Sequence, residues 1–128
     1  MKKNKRILVI SLIVITFCAV LFFTFFNNIT FDFSINEYSQ ELSTFSNVSN
    51  DVTNEIKTAA QAKSAAFKIW KQVYGDSVIF KLPYRVYYDS ESHIWLVKGS
   101  WVFFIPGGPH ILLKEEGGEV LAVWHDKA

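Results

Sequence analysis

Three histidines are the residues of this sequence best suited to acid–base chemistry or to metal binding. His93, His110 and His125 all lack a histidine, cysteine or carboxylate partner at the spacing of sites such as H-E-x-x-H or C-x-x-C. The sequence also contains no G-x-S-x-G nucleophile motif. It therefore predicts no catalytic residues, no metal site and no cofactor. We interpret the three histidines as solvent-exposed or locally bonded groups.

Carboxylates gather around two turns of the sequence. Asp89 and Glu91 lie in the run DSES, and Glu115, Glu116 and Glu119 surround a later pair of glycines. The first interpretation is that these are solvated hairpin tips, and the alternative is an acidic surface that docks a basic partner. We take these five residues as candidate contacts for a protein partner.

The first 27 residues have the pattern of a membrane segment. Four basic residues, ending at Arg6, precede Ile7 to Phe26, which carries no charge. About 20 helical residues span about 30 Å, the thickness of a hydrocarbon core. A cleaved export signal has a shorter apolar run and small residues at the cut, so we interpret the segment as an uncleaved signal anchor. The positive-inside rule then predicts a single-pass membrane protein with an extracytoplasmic C-terminal domain.

Charge and cysteine content narrow the possible classes of the exported part. The chain has 13 Lys+Arg against 12 Asp+Glu, so removing the four N-terminal cations leaves a mildly acidic remainder. Such a remainder does not predict a nucleic-acid partner. The single cysteine, Cys18, lies within the apolar run after Phe17, where lipidation would need a small residue. One cysteine cannot form an internal disulfide, so the outer domain depends on its core.

We divide the chain into three parts. Residues 1–27 are the anchor, 28–51 a stalk or short helix with a linker, and 52–128 the folded domain. NITFDFSI, at 28–35, alternates like a short strand or an extended stalk. Ser34 and Glu37 then match a capping box before a short helix.

Thr58 to Gly75 is the long helix that the sequence predicts for the outer domain. Thr58 and Gln61 form a capping box, and Gly75 has the position of a residue with positive φ after the last turn. The apolar stripe consists of Ala62, Ala66, Ile69 and Val73, with Trp70 and Tyr74 beside it. Such a stripe requires a sheet to pack against.

After Gly75 the spacing of the apolar residues changes from the helical period of 3.6 residues to the strand period of 2 residues. Pro83 breaks the first strand pair, Pro106 to Pro109 is a strong turn signal, and Gly117-Gly118 closes a hairpin. One long helix followed by five or six antiparallel strands predicts an α+β fold. The predicted strands are Val78 to Leu82, Tyr84 to Tyr88, His93 to Val97, Trp101 to Ile105, His110 to Lys114 and Val120 to His125.

In their order, these elements resemble the immunity proteins of the nuclear-transport-factor-2 fold. The matching pieces run from I-W-x-x-V-Y-G through P-Y and W-x-V-x-G to a double glycine and K-x-x-G-G-x-V-L, over about Ala59 to Lys127. The resemblance implies a curved antiparallel sheet packed on helices around a cone-shaped cavity. It also implies a bacterial protein that neutralises a toxin of a polymorphic toxin system by binding it. The positions that define the motif are Trp70, Tyr74, Gly75, Pro83, Tyr84, Trp95, Gly99, Gly107 and Gly108.

Two functional hypotheses follow, with a third that assigns no ligand. The first is a membrane-anchored, non-enzymatic immunity protein whose partner is a cognate protein toxin. The second is an extracytoplasmic small-molecule-binding domain or enzyme that uses the cone cavity; the predicted strands offer tyrosines and few inward carboxylates for it. The third is a membrane-tethered structural protein.

Overall fold

The computed structural model of the protein describes residues 2–27, 29–46, 54–76, 84–99 and 108–126. The predicted strands Val78 to Leu82 and Trp101 to Ile105, together with Pro83 and Gly107, lie outside the described residues. The elements in chain order are α1 (Lys2–Asn27), β1 (Phe31–Asp32), a 3₁₀ helix (Ile35–Tyr38), α2 (Ser39–Thr44), α3 (Ala59–Tyr74), β2 (Arg85–Asp89), β3 (Ile94–Lys98), β4 (Pro109–Lys114) and β5 (Val120–His125).

The described strands form one open sheet in the order β1-β2-β3-β4-β5, which confirms the α+β fold. β2 to β5 pair antiparallel, as the sequence predicted, whereas β1 pairs parallel with β2, so the sheet is mixed. Parallel strands need a long crossover between them, and the chain from residue 33 to 84 supplies it. A bulge between Leu112 and Leu113 shifts the β4–β5 register.

The long helix is confirmed at both ends. Thr58 is the N-cap residue, and both hydrogen bonds of its capping box with Gln61 are present. Gly75 ends the helix with a φ of 80°. The stripe prediction was wrong at Val73, which is 51% exposed because the last turn extends past Trp70, the last buried residue of the helix.

The sheet is covered on both faces. One face packs on α3, where the ring of Tyr84 meets Trp70 edge-on at 4.9 Å. The other face is covered by the chain from Phe33 to Phe45, and Phe45 stacks on Trp124 at 6.1 Å. Strands buried on both faces read as continuous apolar runs, which explains why β3 and β4 are apolar at successive positions.

The short helical segment differs from its prediction at the cap. Ser34 is the N-cap residue of the 3₁₀ helix, but its side chain makes no capping hydrogen bond, so the predicted box with Glu37 was wrong. The Ile35 N–H is instead satisfied by Asp89 Oδ2 at 2.9 Å. This contact joins the segment to the end of β2.

α1 is long and apolar enough to cross a membrane: an 18-residue stretch of it has a mean hydropathy of 2.9, and its side chains are exposed over Lys2–Phe25. A signal sequence near the N-terminus can also meet these criteria of length and composition. The Thr16 and Thr24 hydroxyls donate to the carbonyls of Leu12 and Val20 at 2.8 Å, which satisfies both within the helix.

Candidate functional site

The two acidic turns lie side by side at one end of the sheet. β3 and β4 are neighbours with Ile94 opposite Lys114, so the turn before β3 meets the turn after β4. The Glu115 N–H donates to the His93 carbonyl at 3.0 Å and joins them. We call this surface the acidic end; it consists of Glu55, Lys57, Asp89, Glu91, Lys114, Glu115, Glu116 and Glu119.

Residues 54–57 lie across both turns and bring Glu55 into the acidic end. The Ile56 N–H donates to the Glu115 carbonyl at 2.9 Å, and Trp95 Nε1 donates to the Ile56 carbonyl at 2.7 Å. At Gly118, with a φ of 65°, an added Cβ would be 2.5 Å from the Asn54 carbonyl oxygen. The sequence analysis missed Glu55, because no pattern marks it apart from its place just before the helix cap.

Tyr88, His93 and Glu115 form a hydrogen-bonded group inside the acidic end. Tyr88 Oη donates to Glu115 Oε2 at 2.6 Å, and His93 Nδ1 lies 3.0 Å from the same oxygen and 2.8 Å from Tyr88 Oη. The sequence analysis placed Tyr88 at the end of a predicted strand and gave it no role in a site. Its ring packs on Trp95 at 4.5 Å, while its hydroxyl reaches the rim.

This group fixes the protonation of two of its members at neutral pH. The hydrogen bond to Glu115, with burial and the charges of Glu115 and Asp89, raises the pKa of Tyr88 to about 12. The same bond, followed by that from His93, lowers the pKa of Glu115. Tyr88 is therefore a permanent donor and Glu115 a permanent acceptor near neutral pH.

Asp89 faces inward, unlike the other candidate contact residues. It is 7% exposed, although it lies at the rim of the domain, and its Oδ1 accepts the Glu91 N–H at 3.0 Å while Oδ2 accepts that of Ile35. These hydrogen bonds, that of Ile35 first, lower its pKa. Asp89 therefore holds the turn in place, whereas Glu91 and Glu116 are exposed.

A groove of about 350 Å³ opens beside the hydrogen-bonded group. Its mixture of carboxylates, a lysine and an imidazole can receive a cationic or hydrogen-bonding group of a partner. Among the residues that the structure describes, no group of three or more His, Cys, Asp or Glu side chains is placed to hold a metal ion. The groove is lined by Glu55, Ser92, His93, Lys114, Glu115 and Glu116.

The other two histidines lie at the opposite end of the sheet. His110 is buried and stacks on Trp124 at 5.1 Å; its Nδ1 donates to the Gly108 carbonyl at 3.0 Å, and its Nε2 lies 3.3 Å from Asp126 Oδ2. Burial lowers the pKa of His110, against the opposing effect of Asp126. His125 is exposed and contacts Tyr74 edge-on at 5.5 Å. The three histidines thus do not converge on one site.

The motif positions that the structure describes lie mainly in the core and at element ends. Trp70, Tyr84 and Trp95 are buried on the α3 face. The Gly99 N–H donates to the Pro109 carbonyl at 2.9 Å, and the Gly108 carbonyl accepts the Asp126 N–H at 3.0 Å. These contacts serve the fold and do not form a site.

A comparison with known protein families gives a match to the part of the chain that contains α3 and the strands β2 to β5. A family model described as an NTF2 fold immunity protein matches residues 61–127, more than half of the chain. The matched region begins in the first turn of α3 and includes all of β2 to β5. No curated protein and no solved structure gives a significant match.

Proposed function

This chain belongs to the family of NTF2 fold immunity proteins, and from that premise we propose that it binds and neutralises a cognate protein toxin without catalysing a reaction. The family match over residues 61–127 is the observation that carries the proposal. An immunity family implies a toxin partner in general. Direct binding is what we propose in addition.

The proposed protein is anchored in a membrane with its folded domain outside the cytoplasm. The length and hydropathy of α1 support this, as do the cations that precede its apolar run. We keep residues 1–27 as the anchor and 52–128 as the domain. Residues 28–51 join them, and the packing of Phe33 to Phe45 on the sheet adds that part to the outer domain.

We propose the acidic end as the surface that meets the toxin. Glu91 and Glu116 are exposed, and Glu115 and Glu119 are half-buried beside them. Clustered carboxylates accelerate encounter with a basic partner more than they raise final affinity. Asp89 supports this surface from within by holding the turn that carries Glu91.

Co-expression tests the proposal. The reading frame beside the gene for this chain is expressed with an export signal, in cells with and without the full-length chain. We expect the toxin to stop growth, and the chain to restore it and to co-purify with the toxin. Expression of the folded chain without rescue and without co-purification would contradict the proposal.

The groove beside Tyr88, His93 and Glu115 is the observation that favours the second hypothesis, a small-molecule site. Among the described residues, the buried carboxylate and imidazole side chains beyond this group, Asp89 and His110, lie at opposite ends of the strands and are bonded within the chain. They do not form a convergent acid–base pair. Thermal-shift screening of the full chain against metabolites, repeated with Tyr88→Phe, tests this hypothesis. A ligand that stabilises the wild-type chain but not the Tyr88→Phe variant would support a small-molecule site. A screen that finds no stabilising ligand would contradict it.

A further inference from the structure

The connection between the helix α1 and the sheet is short. Only residues 28–30 separate Asn27 at the end of α1 from Phe31 at the start of β1. A fully extended chain spans at most about 14 Å over these four steps. If α1 crosses a membrane, as proposed above, the start of β1 is held close to the bilayer surface.

The direction of β1 decides which end of the sheet faces the bilayer. β1 runs parallel to β2 with Phe31 opposite Tyr87, so the chain enters the sheet from the end where Arg85 lies. In the antiparallel register, Arg85 pairs with Lys98 and Lys98 with His110. We call this the anchor end. The acidic end is the opposite end, since it follows Asp89 and Lys114.

The two ends differ in charge. At the anchor end, Arg85 is exposed, Lys98 lies over the Tyr87 ring at 5.0 Å, and Lys71 comes from the last turn of α3, which the contact of Tyr74 with His125 places there. Asp76 and Asp126, two carboxylates of this end, are each paired, Asp76 with Lys71 at 3.7 Å and Asp126 with His110 at 3.3 Å. The acidic end has six carboxylates and two lysines.

We propose that the domain stands end-on at the membrane, with Arg85 and Lys71 against anionic phospholipid headgroups and the acidic end turned away. Anionic lipids attract basic residues near a membrane surface and repel carboxylates, within about a Debye length. Phe31 is 48% exposed at the point where the chain enters the sheet, and an aromatic side chain there can insert into the interfacial layer of the membrane. The arrangement presents Glu91 and Glu116 to a toxin that approaches from outside.

Distance measurements on the full chain test this orientation. Cys18→Ser removes the single cysteine, and exposed neutral residues at the two ends receive a fluorophore, through Gln72→Cys at the anchor end or Ser90→Cys at the acidic end. The protein is reconstituted in vesicles with phosphatidylglycerol and a headgroup energy acceptor. We expect the label at residue 90 to lie farther from the headgroups by about 17 Å, the length of a five-residue strand. Equal distances would overturn the proposal.

A matched pair of charge variants tests the role of the lipid headgroups. Arg85→Gln and Lys114→Gln each remove one exposed cation from a strand end, at opposite ends of the sheet. We expect R85Q to lower energy transfer from the label at residue 72, as high salt does, and K114Q to leave it unchanged. Equal effects of the two variants would overturn the lipid contact.

This inference rests on the proposed membrane anchor, and the experiment separates the two. If the chain does not float with the vesicles, both the anchor and the orientation fail. If it floats with both labels equally distant, only the orientation fails. If the orientation holds and the chain does not neutralise its toxin, the proposed function fails alone.

Discussion

The group of Tyr88, His93 and Glu115 explains why the acidic end is ordered at the level of single residues. Glu115 would repel the carboxylates around it, but it accepts the Tyr88 hydroxyl at 2.6 Å and lies 3.0 Å from His93 Nδ1. Its backbone also contacts His93 and Ile56. One glutamate thereby connects both turns and residues 54–57.

Glu115→Gln should make the free energy of unfolding depend less on pH in the acid range. The pKa of Glu115 is lowered in the folded protein, so its carboxylate stabilises the fold above the ordinary glutamate pKa of about 4.3, and this contribution is lost as pH falls through the lowered value. We expect E115Q to unfold more easily than wild type at pH 7 and to lose less stability between pH 5 and pH 3. Urea unfolding across this range measures both.

Glu116→Gln is the control for that change, because Glu116 is exposed on the same turn. We expect its curve to run parallel to that of wild type. Asp89 also has a lowered pKa and stays intact in both variants, so the difference reports Glu115. An E115Q curve parallel to wild type would contradict the role assigned to the hydrogen-bonded group.

Trp70→Ala should unfold the domain, not remove toxin binding selectively. Trp70 is fully buried, packs edge-on with Tyr84 and donates to the His110 carbonyl at 3.4 Å. Truncation of a buried tryptophan costs about 3–5 kcal/mol. Phe67→Ala, on the same helix at an exposed position, should cost much less. Urea unfolding compares them; a stable W70A protein that fails to neutralise its toxin would reverse the assignment.

At the scale of elements, local signals were sufficient for the helix and for the hairpins. The α3 caps, and the glycine turn between β4 and β5, are encoded within a few residues, and the structure reproduces them to within a residue. The chain from Phe33 to Phe45 was harder to predict. Its apolar residues pack on the far face of the sheet, and its first helical N–H is capped by Asp89, 54 positions away.

The candidate site, too, could be predicted from the sequence only in part. Spacing identified the carboxylates of both turns, but only the β3–β4 register brings the turns together. Neither the contribution of Glu55 nor the burial of Asp89 follows from a sequence pattern, because each depends on contacts from distant parts of the chain.

Two glycines with positive φ provide a test of residues 54–57 as an element. Gly75 combines a φ of 80° with a ψ of −167°, a backbone region essentially confined to glycine, so Gly75→Ala should cost about 1–3 kcal/mol although its Cβ meets no atom within 4 Å. Gly118 also has a positive φ, and the Cβ of Gly118→Ala would in addition clash with the Asn54 carbonyl. We therefore expect G118A, and not G75A, to give faster amide exchange at Ile56. Equal exchange at Ile56 in the two variants would contradict the close packing of residues 54–57 on the turn.

At the scale of the whole molecule, charge is separated along the sheet, with carboxylates concentrated at one end. Glu91→Lys combined with Glu116→Lys should slow association with a basic toxin, most strongly at low ionic strength, because steering is screened by salt. Stopped-flow binding measures the rate. Glu37→Lys, at an exposed carboxylate on the 3₁₀ helix, is compared with Glu91→Lys alone, which changes the charge equally, and should have the smaller effect. Equal slowing by both changes would place the toxin elsewhere.

Direct binding is the measurement that tests the central claim. The full chain in detergent or vesicles is titrated with the purified product of the adjacent reading frame in a calorimeter, and toxin activity is assayed at each ratio. We expect a saturable complex and loss of toxin activity as the complex forms. A folded chain that releases no heat of binding, forms no complex and leaves the toxin active would contradict the account.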